Sequence, residues 1–476
     1  MIPHLNPEFQ RNLWLHLGWQ RMMAAFIVGV TIAYAIFLVS DYDRVSYAAN
    51  LISTMVLGMW GPRRAADALA EEVAGGTWEA QRMSGLSAWS MTWGKLVGGC
   101  SFVWYCGLLA LAVYIFIGFK LGFPAGRAGN FWLGVYLVLM GACLADAAAL
   151  AVALIRLRKT VQYRRLTITL AQTCGLVVFF AVSGVGTAPV IDEPSFTPGF
   201  GYVYDSAYSW PVIRAVLGTI FVVWAVIAVL RLMRGELQYR AWPWLWGLFL
   251  AFCATLAAGI APWPGGGMVG ASLPVFAVMV LLTYLAALAD RRDPIRYRSG
   301  LIALRQGDVG RALAELPWWL MSYVAAISAA GFCVVALMAM ESADWPSSLS
   351  ELLLRLRLVS FDHLTETLLL VLLFLARDIL VLLWLSFGAA RHRSDITWLV
   401  YLALIYWPVG IILIYAGYLD FITFVLPVAR EDLLLSFGPI LAQLIVLAMM
   451  LRQRWRQATR GGVARPTDMT LAETAP

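Results

Sequence analysis

Apolar residues in this chain come in long runs, and short connections between the runs carry nearly all of the charge. A helix needs about 20 consecutive apolar residues to cross a bilayer core, and the pattern predicts twelve spans. They fall near residues 22–40, 46–60, 96–118, 131–154, 166–185, 210–230, 242–261, 270–289, 318–340, 366–388, 397–417 and 433–450. Ahead of them, residues 1–21 hold Phe9, Leu13, Trp14 and Leu17 at helical spacing, with Gln10, Arg11 and Asn12 between. That spacing predicts an amphipathic helix lying in the membrane interface.

One connection stands apart. Residues 62–96, between the second and third spans, carry Arg63, Arg64, Asp67, Glu71, Glu72, Glu79, Arg82 and Lys95. Lipid does not accept that many charges, so the segment belongs on the membrane surface. Ala66, Leu69, Ala70 and Val73 fall at i, i+3, i+4 and i+7 and predict a helix. Gly75-Gly76 interrupts it, and Thr77 or Ser84 can cap the helix after the break. The expectation is a charged, broken helical hairpin that a soluble partner can touch.

Composition supports the membrane reading. Of 476 residues, 61% are hydrophobic and 13% charged, about half the charged fraction of a soluble domain. The net charge of +7 forms no continuous basic stripe, which argues against a nucleic-acid partner. Of the 35 Lys and Arg residues, 27 fall on the side that holds both termini, 6 on the other side, and Arg214 and Arg377 within spans. The bias predicts that the N- and C-termini are both cytoplasmic. The six cysteines lie in apolar runs without a CxxC pair, and the four histidines are scattered, so neither set suggests disulfides or a metal site.

The fold class expected is therefore all-α and polytopic, with about twelve transmembrane helices in two six-helix halves, residues 22–235 and 236–451. A second cytoplasmic loop spans 290–317, and a tail at 452–476 is basic and then polar. A weak repeat supports the halves. Arg63-Arg64 and Arg291-Arg292 are offset by 228 residues (291 − 63), and Asp146 and Asp378 by 232 (378 − 146). The outer connections Gly186–Ser209 and Glu351–Phe361 read as an ordered cap and as a segment lying flat on the outer interface.

No catalytic set emerges. Gly94-Lys95 lacks the Gly five positions earlier and the following Ser or Thr of a nucleotide P-loop, since Trp89 and Leu96 stand there. Asp146, Arg377 and Asp378 lie within spans, where charges must find partners. They read either as a polar patch on a substrate path or as an interhelical packing lock. Adjacent residues on a helix point about 100° apart, so Arg377 and Asp378 are not expected to pair with each other.

The order Glu71-Glu72, Gly76-Thr77, Leu86-Ser87-Ala88 and Gly94-Lys95, between a second and a third span, resembles the cytoplasmic loop of ABC-2 type transporter permeases. Ala88 stands where that family usually has Pro, and Val73 where a basic residue often follows the Glu. The resemblance implies a plasma-membrane (bacterial inner-membrane) permease that exports an unknown substrate by alternating access. It implies a separate P-loop ATPase subunit, in dimeric form, that holds the ATP and Mg, with no cofactor on this chain and lipid as the surrounding partner. Residues 62–96 would then be the coupling element. Glu71 and Glu72 would be its polar contacts or helix-fixing residues and Gly75-Gly76 its bend, with Thr77 and Arg82 alongside. Lys95 would anchor the third span at the headgroups. Two other classes stay open. One is a twelve-span secondary transporter using Asp146, Asp378 and Arg377 as an ion relay, and the other is a membrane scaffold that carries no substrate.

Overall fold

The structure is a computed structural model. It describes residues 6–39, 41–121, 128–157, 164–183, 200–203, 206–239, 244–260, 267–290, 292–339, 363–388, 394–416, 419–430 and 432–460. Ten helices among these residues are long and apolar enough to cross a bilayer. The chain is an all-α, multi-pass membrane protein; the strands among the described residues are β1 (Phe200–Val203) and β2 (Ser206–Ser209), which form a two-stranded sheet. The cap expected from Gly186 lies outside the described residues apart from this pair. The segment Glu351–Phe361 lies outside them entirely, as does the tail beyond Arg460.

The chain forms two compact units, residues 1–201 with 207–241, and residues 202–206 with 242–476. The first contains α1 (Pro7–His16), α2 (Trp19–Val39), α3 (Tyr42–Met55), α4 (Gly61–Ala74), α5 (Thr77–Met83) and α6 (Ala88–Trp93). It continues with α7 (Ser101–Leu121), α8 (Ala128–Leu157), α9 (Arg164–Ser183) and α10 (Trp210–Glu236). Its core lies where α4 packs on α8 and α9. Ala65, Ala66, Leu69 and Ala70 of α4 are buried, and so are Ala142, Ala145, Ala149 and Ala153 of α8. Such small side chains let helix backbones approach closely, which drives helix packing in lipid.

The predicted boundary at Pro62 is not a helix end. A π-helical turn, Val56–Trp60, joins α3 directly to α4, so one helical run extends from Tyr42 to Ala74. Proline inside a helix has no N–H to donate and clashes with the carbonyl four residues back. The wider π turn just before Pro62 relieves both problems. Ile405–Val409, which contains Pro408, repeats the device. The expected second span is thus the membrane end of a helix that continues into the charged connection, and it is absent from the ten long apolar helices. The expected seventh span is the shorter Trp244–Gly259.

The second unit contains α11 (Trp244–Gly259), α12 (Gly267–Ala289), α13 (Pro294–Arg305), α14 (Val309–Glu315) and α15 (Trp318–Ala339). After it come α16 (Leu364–Ser386), α17 (Ser394–Leu404), α18 (Gly410–Tyr415) and α19 (Leu433–Arg460). Leu250, Met279, Ala326, Ala330 and Cys333 knit α11, α12 and α15 together. Leu375, Ile379, Leu382 and Trp398 form a second core around α16.

Both charged connections have the same local shape. α4 and α5 are separated by Gly76 at φ 70°, and α13 and α14 by Gly307 at φ 79°. That left-handed backbone is where glycine has its largest advantage. α5 and α14 are each seven residues long and begin 232 residues apart (309 − 77). The spacing equals that of Asp146 and Asp378.

Candidate functional site

Helix α1 packs on the charged hairpin. Asn6 caps it by accepting from the Glu8 N–H at 3.0 Å, and Pro7 occupies the first turn, where its missing N–H costs nothing. Asn6 also receives the Ser90 hydroxyl, which stitches the start of α1 to α6. Glu8, Arg11 and Asn12 stand at i, i+3 and i+4 on one face, and the face is laid on the π turn Gly94–Gly98 that follows α6. Two glycines make the approach possible. A Cβ on Gly98 would meet the Asn12 Cβ at 2.9 Å, and one on Gly94 would meet the Glu8 Cβ at 2.7 Å. Asn12 Nδ2 donates to the Gly94 carbonyl at 3.0 Å.

Lys95 lies at the centre of this contact. Its side chain is 1% exposed. The ammonium donates to Glu72 Oε2, to Glu8 Oε1 at 3.4 Å and to Gln81 Oε1 at 3.2 Å, and sits 5.1 Å from the centre of the Trp78 ring. Three donors therefore meet three acceptors, with an aromatic face closing the side. Arg11 bonds the same two carboxylates, reaching Glu8 Oε1 at 3.1 Å and Glu72 Oε1. Two cations and two anions thus balance inside the protein. Burial pushes the Glu72 carboxyl up. The Lys95 charge, hydrogen bonds from Lys95 and Gln81, and the Arg11 charge outweigh it and hold Glu72 below the ordinary carboxylate value.

The cluster bears on two expectations. Lys95 does not reach the headgroups, because the Glu8 and Glu72 carboxylates hold its ammonium inward. Glu72 is 12% exposed and occupied internally, which fits a helix-fixing residue rather than an outward contact. Glu71 does face outward, paired with Arg64 at 3.2 Å and beside Arg164 at 3.8 Å. Arg64 also bonds His16 Nδ1 at 3.2 Å, tying the end of α1 to α4. Burial and then the Arg64 charge hold the His16 imidazole below its ordinary value.

Neither residue proposed as a cap for α5 caps its start. The Thr77 hydroxyl bonds back to the Glu72 carbonyl at 3.3 Å, across Gly75 and Gly76, and so closes the end of α4. Ser84 bonds the Gln81 carbonyl at the end of α5, while Ser87 caps α6 by accepting from the Ser90 N–H at 3.1 Å. Arg82 pairs with Glu79 at 2.9 Å and donates to the Glu236 carbonyl at 3.1 Å, which fastens α5 to the end of α10. A cavity of about 360 Å³ opens beside the cluster, lined by Pro7, Glu8, Arg11, Thr77, Gln81 and Ser84 among others.

The intramembrane charges are held very differently. Arg377 and Asp378 pair with each other, against expectation: Arg377 Nε and Nη2 both reach Asp378 Oδ1, at 2.9 and 2.8 Å. The Cβ directions do diverge, but the long arginine stem folds back along the helix, with its guanidinium 4.4 Å from the centre of the Phe374 ring. Tyr284 and Tyr406 donate to Asp378 Oδ2 at 2.8 and 2.7 Å, and Gln443 accepts from Arg377 at 3.3 Å. Four helical elements are thereby tied at one point. Asp146 receives the Trp104 indole N–H, on Oδ2 at 2.9 Å. Its Oδ1 has no hydrogen-bond partner among the described residues. That oxygen lies against Gly61, where a Cβ would come within 2.7 Å of it.

Glu8 and Asn12 were not among the residues predicted to matter, yet both are buried and bonded here. The available signal was Gly94-x-x-x-Gly98, the small-residue spacing on which another helix can lie closely. Compared with protein-family models, with curated proteins and with solved structures, the chain has no match.

Proposed function

We propose that this chain is the membrane-spanning subunit of an ABC-2 type transporter, carrying a substrate across the plasma membrane by alternating access. A separate dimeric P-loop ATPase would bind ATP and Mg and supply the work. The observation that carries this reading is the ionic cluster of Glu8, Glu72 and Lys95, largely buried, with Arg11 at its exposed rim. Glu72 stands in the last turn of the helical run that begins at Tyr42, Lys95 lies in the π turn that leads to α7, and Glu8 belongs to α1. Separating any of them strands a buried charge, at a cost of about 3–5 kcal/mol. A push on α5 is therefore passed to α1, to α3–α4 and to α7 together. The exposed surface that would receive the push contains Glu71, Glu79 and Met83.

The test is purification and reconstitution. Alone, the chain should neither bind nor hydrolyse ATP. In membranes of its source it should co-purify with a P-loop ATPase and change that enzyme's hydrolysis rate, and Glu79→Ala should weaken the association. Transport by the chain alone, driven by a pH or sodium gradient, would overturn the reading. One observation favours that alternative: Asp146 Oδ1 is a buried carboxylate oxygen with no hydrogen-bond partner among the described residues. If it is right, Asp146→Asn abolishes gradient-driven transport and leaves the protein folded.

A further inference from the structure

We infer that the second charged connection, α13–α14, is a lipid-binding element that lies on an anionic membrane surface. The inference is independent of any ATPase. It needs only that residues 290–317 follow one apolar helix and precede another. α12 ends at Ala289 and α15 begins at Trp318, and both are among the ten helices able to span. Each end of the pair is thus held within a few residues of the bilayer. α13, with 12 residues, extends only about 18 Å.

The face that α13 turns away from the protein carries the argument. Tyr297, Gly300 and Ala303 form its buried side. Opposite them, at helical spacing, stand Ile295, Arg298, Ile302 and Arg305, all exposed, with Ile295 at 70% and Ile302 at 44%. α14 adds Val309 and Leu313 at i and i+4, at 57% and 41%. Water is a poor solvent for such a face, because large aliphatic side chains gain free energy from every bit of surface they bury. The charges on it are of one sign. Among the described residues the other arginines here already have partners: Arg292 bonds Asp395 and Ser386, Arg296 the Ala314 carbonyl at 2.7 Å, and Arg311 Glu315 at 3.0 Å. Arg298 and Arg305 have no ion-pair partner among the described residues. Asp293 and Asp308 are both used as helix caps, accepting from the Ile295 and Arg311 N–H groups.

Apolar side chains alternating with unpaired arginines suit the boundary between anionic headgroups and acyl chains. A protein partner would have to offer acidic and apolar groups at the same spacing, and only above the membrane plane. α4 and α5 of the first connection contrast with this. Their exposed charges are of both signs, and Met83 is the large apolar side chain that α5 exposes.

Hydrogen exchange of the full chain tests this in nanodiscs of phosphatidylcholine alone and of phosphatidylcholine with phosphatidylglycerol. Amides of residues 294–315 should exchange roughly thirtyfold more slowly in the anionic discs, the effect of two arginines beside an anionic surface. Amides of residues 61–74 should not differ between the two discs. Arg298→Gln with Arg305→Gln should bring the anionic-disc rates to the phosphatidylcholine values. Equal rates for the unaltered chain in both discs would overturn the inference. So would protection of 294–315 that appears only when a soluble partner is added, or an equal lipid dependence at 61–74.

Discussion

Replacing Lys95 by Met should release α1 from the hairpin while leaving the transmembrane helices in place. Lys95 and Glu8 are almost wholly buried, at 1% and 3% exposed, and Glu72 nearly so. Removing one member of a buried ion pair typically costs about 3–5 kcal/mol, because the other charge stays behind. Two carboxylates are left here, but Arg11 still reaches both, which moves the expectation to the lower end. Arg11 is 39% exposed, so solvent screens what it can recover. About 3 kcal/mol corresponds to a rise of about a hundredfold in the population of detached α1. Hydrogen exchange of residues 7–16 in nanodiscs reads that population directly, with α8 amides as an internal reference. Adding Glu72→Gln to Lys95→Met should restore part of the protection, because the second change removes an orphaned charge. Protection of α1 that falls by less than about threefold would refute the reasoning, and so would a double variant that exchanges faster than the single.

Asp378→Asn should lower the melting temperature in detergent more than Asp146→Asn does. It strands Arg377 at a cost of about 3–5 kcal/mol, whereas Asp146 has no ion-pair partner among the described residues, and the reverse order would contradict the two environments. Gly76→Ala should cost about 1–2 kcal/mol through its positive φ alone, since a Cβ there meets nothing within 4 Å. Gly76→Pro should cost more, because proline cannot adopt that φ; unchanged protection of α5 in either variant would show that the turn is free to rearrange. Docking of α1 should weaken as pH falls below 6.5, because the folded protein holds His16 below that value and detachment takes up a proton. A second, smaller loss should follow at acid pH, because detachment removes the Arg11 charge that helps to hold Glu72 below its ordinary value. Exchange rates of residues 7–16 measured across pH 4 to 8 check both steps, and His16→Gln should remove the first.

The features that reached from sequence to structure are those set by local spacing. The apolar runs, the amphipathic α1, the buried face of Ala66, Leu69 and Ala70 and the break at Gly75-Gly76 all follow from which residues neighbour one another on a helix. What stayed hidden depends on partners far along the chain. Lys95 reads as a headgroup anchor until Glu8, 87 positions earlier, is laid beside it. Arg11 and Asn12 read as a solvent face for the same reason. Pro62 reads as a helix boundary because nothing local announces the π turn that accommodates it. Arg377 and Asp378 seem to diverge when only their Cβ directions are considered; their pairing depends on Tyr284, Tyr406 and Gln443 converging from other elements.

If the chain works with an ATPase as proposed, α1 and the α4–α5 hairpin move as one body when that partner hydrolyses ATP. Spin labels at Leu15 and Glu79, both exposed, report the internal distance of that body, and labels at Glu79 and Gln306 report the distance from one charged connection to the other. Pulsed electron resonance on the chain in complex with the proposed ATPase, nucleotide-free and trapped with ATP, compares the two. The account predicts a Leu15–Glu79 distance that is the same in both states and a Glu79–Gln306 distance that changes. A Leu15–Glu79 distance that shifts on ATP binding, or a Glu79–Gln306 distance that does not, would contradict it.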